Sequence, residues 1–134
     1  APYLKDIKEK LIATGYILIG CGSKTSVEYM SQTEAIPCEK TDIVVATALA
    51  GEMLGMKLIY LEAGSGAVKP VPVNVIKSVR ENIKIPIAVG GGIKTKEEIE
   101  NAYLAGADLI ILGNGVEKDP HLLIEACRIR DTFR

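Results

Sequence analysis

Tyr60 and Glu62 stand two residues apart in the run Lys57-Leu58-Ile59-Tyr60-Leu61-Glu62. In a strand their side chains leave one face while Leu61 leaves the other. With Leu61 packed under covering helices, the phenol and the carboxylate face the interior of a sheet or barrel. A carboxylate placed there is costly unless it has a partner or a task. The pair suits general-base chemistry, with Tyr60 orienting a ligand hydroxyl and Glu62 accepting its proton. A merely solvated strand-end glutamate is the competing explanation. Gly64-Ser65-Gly66 follows, and Gly90-Gly91-Gly92 and Gly113-Asn114-Gly115 close two later apolar runs. Seven of the thirteen glycines thus sit just after three successive runs. Glycine lets the backbone approach an anion closely and aim N–H groups at it, and a nearby helix start adds partial positive charge. Phosphate is one such anion, and the loops Gly64-Ser65-Gly66, Gly90-Gly91-Gly92 and Gly113-Asn114-Gly115 are its candidate binders. Ordinary tight turns are the alternative.

The elements that must position these residues follow from period and punctuation. Leu4, Ile7, Leu11 and Ile12 predict a short helix stopped by Gly15, and Tyr16 to Ile19 a strand buried on both faces. Residues 21–40 are polar and read as a long loop with one turn of structure. Helices are expected over residues 41–54, 71–82, 95–104 and 119–132, the third opened by the capping box Thr95-Lys96-Glu97-Glu98 and the last capped by Asp119-Pro120. Strands start near residues 16, 57, 85 and 109. Such alternation means a parallel sheet with crossover helices, either an open doubly wound sheet or a segment of a barrel. No G-x-G-x-x-G follows the first strand, which disfavours a dinucleotide site. Glycine-rich ends on the last two strands match the phosphate site of (β/α) barrels, which lies beside a short extra helix.

Composition narrows the class. In 134 residues, 48% hydrophobic and 25% charged, the chain is one globular domain and not a disordered segment. Sixteen Lys and Arg against seventeen Asp and Glu leave a net charge of −1 with no basic block, so nucleic acid is excluded as a partner. Cys21, Cys38 and Cys127 are too few and too scattered for a disulfide framework or a zinc site, and read as free thiols of a reducing, cytoplasmic compartment. The apolar runs fall far short of the roughly 20 residues of a membrane span. His121 reads as a boundary residue, and Lys24, Lys69 and Lys94 as solvated loop lysines that could meet a diphosphate.

With these residues in view, the sequence resembles the geranylgeranylglyceryl phosphate synthase family, barrel prenyltransferases of lipid synthesis. The resemblance rests on Tyr60-Leu61-Glu62-Ala63-Gly64-Ser65-Gly66-Ala67, on Val89-Gly90-Gly91-Gly92-Ile93-Lys94, and on Ala105-Gly106-Ala107-Asp108 leading into Leu112-Gly113-Asn114. Weaker likeness runs through Gly15 to Leu18, Thr25 to Val27 and Ala35 to Pro37. It implies the carboxyl-terminal half of a TIM-type barrel, with about four parallel strands. It also implies a polyprenyl group passing from its diphosphate to the hydroxyl of glycerol 1-phosphate. The phosphate would lie among Ser65, Gly92, Gly113 and Asn114, the hydroxyls near Tyr60 and Glu62. The family's Mg²⁺ is held by an aspartate at the end of the first barrel strand. This sequence opens at Ala1-Pro2 as if just after the fourth, so the metal ligands are expected outside it. Unpaired sheet edges imply self-association or pairing with another barrel half, and the lipid substrate implies work at a membrane periphery. A catalytically silent phosphate-binding half-barrel is the alternative. Another phosphate-binding barrel enzyme is a third option, but it gives no reason for the Tyr60 to Gly66 run.

Overall fold

The computed structural model describes residues 2–20, 22 and 26–133. Residues 2–10 form 3₁₀ turns kinked at Ile7, where φ is −125° and ψ 19°. The short helix expected there is therefore not an amphipathic α-helix. The kink breaks the stripe, and Leu4, Ile7, Leu11 and Ile12 all stay exposed.

Strand β1 (Thr14–Gly20) leads to a short helix α1 (Ser26–Ser31) and a two-residue strand β2 (Ile36–Pro37). The loop expected over 21–40 thus carries two elements. Ile19 and Gly20 pair with Ile36 and Pro37, and the N–H of Cys38 reaches the carbonyl of Gly20 at 3.1 Å. Pro37 is tolerated because β2 lies at the sheet edge. Helix α2 (Thr41–Met53) ends as Gly55 turns through φ +87°, and β3 (Leu58–Glu62) follows. Helix α3 (Val73–Asn82) starts behind Pro72 and precedes β4 (Ile87–Gly90). Helix α4 (Lys96–Leu104) opens with the capping box read from the sequence: Thr95 Oγ1 accepts from the N–H of Glu98, and Glu98 reaches back to the N–H of Thr95. Strand β5 (Leu109–Ile111), a five-residue helix α5 (Asn114–Lys118) and α6 (His121–Thr132) complete the order. Asp119 accepts from the N–H of His121 at 3.0 Å.

Among the described residues all pairings are parallel, in the order β2-β1-β3-β4-β5, the two-residue β2 being added to the about four strands expected. Ile17, Leu61, Val89 and Ile110 lie in register on one face. This face packs against Val44 and Ala48 of α2, Val75, Ile76 and Val79 of α3, and Ile99 and Ala102 of α4. Each aliphatic side chain buried there contributes roughly 1.5–3 kcal/mol. The opposite face carries the rows Tyr16-Tyr60-Ala88-Leu109 and Leu18-Glu62-Gly90-Ile111. Along it Tyr16 is 49%, Leu109 48% and Ile111 38% exposed. Apolar side chains facing outward from the unhelical side of a parallel sheet are the interior of a half-barrel.

Candidate active site

Glu62 is the last residue of β3 and is only 6% exposed, although it carries a charge. Its strand parity places it beside Tyr60, whose hydroxyl donates to Glu62 Oε2. The N–H of Gly64 donates to Oε1 at 2.8 Å. Both oxygens are thus held in fixed directions, each with a lone pair left over. Gly64, read from the sequence as a phosphate binder, directs its N–H to the carboxylate instead.

Neighbouring glycines make room for this side chain. A Cβ on Gly90 would lie 2.5 Å from Tyr60 Oη. Gly91, at φ +78°, would place one 2.6 Å from Glu62 Oε1 and 2.7 Å from the N–H of Gly64. The register that sets Gly90 beside Glu62 therefore demands glycine for a steric reason, independent of any ligand.

Tyr60 is held from below by Tyr16, its register partner on β1, with ring centroids 5.2 Å apart at 86°. Burial first, and the hydrogen bond to Glu62 second, push the Tyr60 phenol well above its ordinary value of 10.0. Burial, and then the Glu62 charge, raise Tyr16 as well. Both phenols keep their protons at neutral pH.

Above Glu62 opens a cleft of about 200 Å³ at the carboxyl ends of β3, β4 and β5. The loop after β3 contributes Ser65 and Gly66, the loop after β4 Gly91 to Lys94, and the loop after β5 Gly113 to Gly115. Ser65 Oγ donates to Asn114 Oδ1 at 3.4 Å, joining residues 49 apart. No hydrogen-bond partner among the described residues takes up the N–H of Gly92 or Gly113. The arrangement offers a carboxylate at the floor, neutral hydrogen-bonding groups at the rim, and backbone donors between. It can accept a proton from a hydroxyl while holding an anion attached to the same molecule.

Tyr60, Glu62, Ser65, Gly91, Gly92, Gly113 and Asn114 are brought together, with Gly64 just behind. Lys94, set aside in the sequence among solvated lysines, also lines the cleft, and its Nζ donates to the carbonyl of Val68 at 3.1 Å. Lys69 faces a separate apolar groove, and Lys24 lies outside the described residues. His121 is exposed on α6, away from the cleft. Cys38 and Cys127 are unpaired, while Cys21 lies outside the described residues. Among the described residues no group of three or more His, Cys, Asp or Glu could hold a metal ion. Nor is any described helix long and apolar enough to cross a membrane.

The model of the PcrB family matches residues 2–130. The chain is 54% identical over 121 residues to the geranylgeranylglyceryl phosphate synthase of Flavobacterium johnsoniae, covering 90% of this chain and 50% of that protein. It is 50% identical over 133 residues to the synthase of the same name from Spirosoma linguale, covering 99% and 53% respectively. Among solved structures, (S)-3-O-geranylgeranylglyceryl phosphate synthase from Thermoplasma acidophilum in complex with substrate sn-glycerol-1-phosphate superposes with a TM-score of 0.82 at 27% identity. That match covers 98% of this chain and 54% of the other. The chain spans about half the length of the curated relatives it matches.

Proposed function

This chain belongs to the PcrB family, and on that premise we propose that it supplies the glycerol-phosphate site of a prenyltransferase. The reaction joins a polyprenyl group, carried as its diphosphate, to a hydroxyl of glycerol 1-phosphate. The observation that carries the reading is the held carboxylate. Glu62 is fixed by Tyr60 and Gly64 at the floor of a cleft whose rim is built from three glycine-rich strand ends.

The phosphate sits at the rim, among Ser65, Gly92, Gly113 and Asn114, and the glycerol hydroxyls reach down toward Glu62. Glu62 takes the proton of the attacking hydroxyl as its oxygen bonds to the allylic carbon, and diphosphate departs with the electrons of the broken C–O bond. Tyr60 keeps its proton and donates it as a hydrogen bond to Glu62, so it orients the base, and its oxygen lone pair is left to accept from a second substrate hydroxyl.

A departing diphosphate calls for a divalent cation, and Mg²⁺ suits it. Among the described residues no group of three or more His, Cys, Asp or Glu converges, and in this reading the ion's ligands come from outside this half-barrel. A prenyl substrate brings such an enzyme, cytoplasmic in this reading, to a membrane surface.

A crystal of the chain soaked in millimolar glycerol 1-phosphate tests the site. Density for the phosphate between the Gly92 and Gly113-Asn114 loops, with the glycerol pointing to Glu62, is expected. Ligand density elsewhere with this cleft empty would overturn the assignment.

A further inference from the structure

Among the described residues lining the cleft, Glu62 and Lys94 are the charged ones. A phosphate monoester brings about −1.5 to −2 charges at neutral pH, and here it approaches a carboxylate. Backbone N–H groups offer it only partial charges. A whole positive charge on the cleft wall can come, among the described residues, from Lys94 alone.

That lysine is not hanging on a loose loop. Its backbone N–H donates to Glu98 Oε2 at 2.7 Å, and Thr95 beside it closes the capping box with the same glutamate. Its Nζ donates to the carbonyl of Val68, 26 residues away in the loop after β3. Lys94 therefore ties the two loops that form adjoining walls of the cleft. An ammonium has three N–H donors and Val68 occupies one, so two remain for an anion.

We propose that Lys94 is a phosphate-binding residue of this cleft, the cation that offsets Glu62 and selects phosphorylated glycerol over glycerol itself. The proposal rests on the reading of the cleft as a glycerol-phosphate site. Against backbone donors alone, a charge-assisted hydrogen bond from Lys94 strengthens phosphate binding about tenfold to a hundredfold.

Calorimetric titration of sn-glycerol 1-phosphate into the chain and two variants tests it. Lys94→Gln keeps an N–H for Val68 and removes the charge, whereas Lys94→Arg keeps the charge. The glutamine variant is expected to bind about 10- to 100-fold more weakly, with a flatter dependence on salt, and the arginine variant within a few-fold of wild type. A purely structural tie to Val68 would not alter the salt dependence. Equal affinity and equal salt dependence in wild type and Lys94→Gln would overturn the role of Lys94 and leave the cleft reading standing. No binding of glycerol 1-phosphate by the wild-type chain at millimolar concentration would overturn the cleft reading, and Lys94 with it. Should Lys94→Gln fail to fold by circular dichroism, the wild-type salt dependence decides, and affinity indifferent to salt refutes the proposal.

Discussion

Glu62→Gln keeps the size of the side chain and an oxygen for one of its two donors, but removes the base. In a complete barrel carrying these residues, turnover is expected to fall about 10²- to 10⁴-fold, with a much smaller change in glycerol-phosphate affinity. Steady-state kinetics with saturating substrates would show it, and unchanged turnover would exclude the role. Gly91→Ala tests the steric argument at the same place, because a methyl group would sit 2.6 Å from Glu62 Oε1 on a backbone at φ +78°. The expected result is a loss of both stability and activity, read by thermal melting and by turnover.

Tyr60 adds a pH dependence. Its phenol, held well above 10.0 by burial and by Glu62, keeps its proton in the fold after the unfolded chain has lost it. Below pH 10 both states are protonated and the group adds no slope. Above that, the unfolded chain binds fewer protons, so stability falls as pH rises. Tyr16 acts in the same sense. Urea midpoints measured between pH 8 and 11.5 are expected to decline less steeply for Tyr60→Phe than for wild type. The Tyr60-Glu62 pair was legible in the sequence because strand parity is local. The fixed position of Lys94 on the cleft wall was not, because its anchor on Val68 joins residues 26 apart and leaves no mark in either segment. Gly64 read as a phosphate binder because an N–H in a glycine loop does not reveal from sequence which acceptor it will find.

At the scale of elements, local signals read well where the chain closes hydrogen bonds with near neighbours. The Thr95 capping box is the clearest case, and Thr95→Ala is expected to cost about 0.5–2 kcal/mol of stability by denaturant unfolding. Strand β2 escaped because two residues, one of them Pro37, hold no period, and only pairing with Ile19 and Gly20 makes them a strand. The first segment failed the other way. Its apolar spacing suits a helix, but the kink at Ile7 and the absence of a surface beneath it leave those side chains in solvent.

Strand β5 shows how a short element is fixed from outside itself. Asp108 accepts from the N–H of Ile87 at 2.8 Å and from Arg80 Nη1 at 3.2 Å, while its own N–H donates to the carbonyl of Ile87. The ion pair is too exposed to add much, at 29% and 52% exposure of its two side chains. The bond to Ile87 matters more, since Asp108→Ala leaves that N–H without its acceptor. A loss of about 1–3 kcal/mol is expected, and Asp108→Asn should recover most of it because an amide oxygen can still accept. Equal stability of the alanine variant and wild type would show that water replaces the carboxylate.

The sheet has one face covered by helices and one that is covered only in part. Helices α2, α3 and α4 seal one side of the sheet, while Tyr16, Leu109 and Ile111 look outward from the other. Among the described residues strands β2 and β5 each pair on one side only, which leaves the backbone donors and acceptors of two outer edges without strand partners there. A barrel closes such edges and fills such a face, and the relatives are about twice as long as this chain. The chemistry divides along the same line. In the proposed reading the base and the glycerol-phosphate cleft belong to these residues, whereas among the described ones no group of three or more His, Cys, Asp or Glu converges for the cation that a departing diphosphate requires. Two behaviours of the 134-residue chain follow. It should bind glycerol 1-phosphate yet form prenyl ether at a rate far below that of a complete barrel, even with Mg²⁺ supplied. It should also sediment as a dimer or larger species at micromolar concentration, because association buries the apolar inner face and pairs the open edges. Sedimentation velocity and a radiolabelled prenyl-transfer assay on the same preparation read both at once. A well-behaved monomer with full activity would place the cation ligands and the closure of the inner face within this chain, and the half-barrel account of its function would fall.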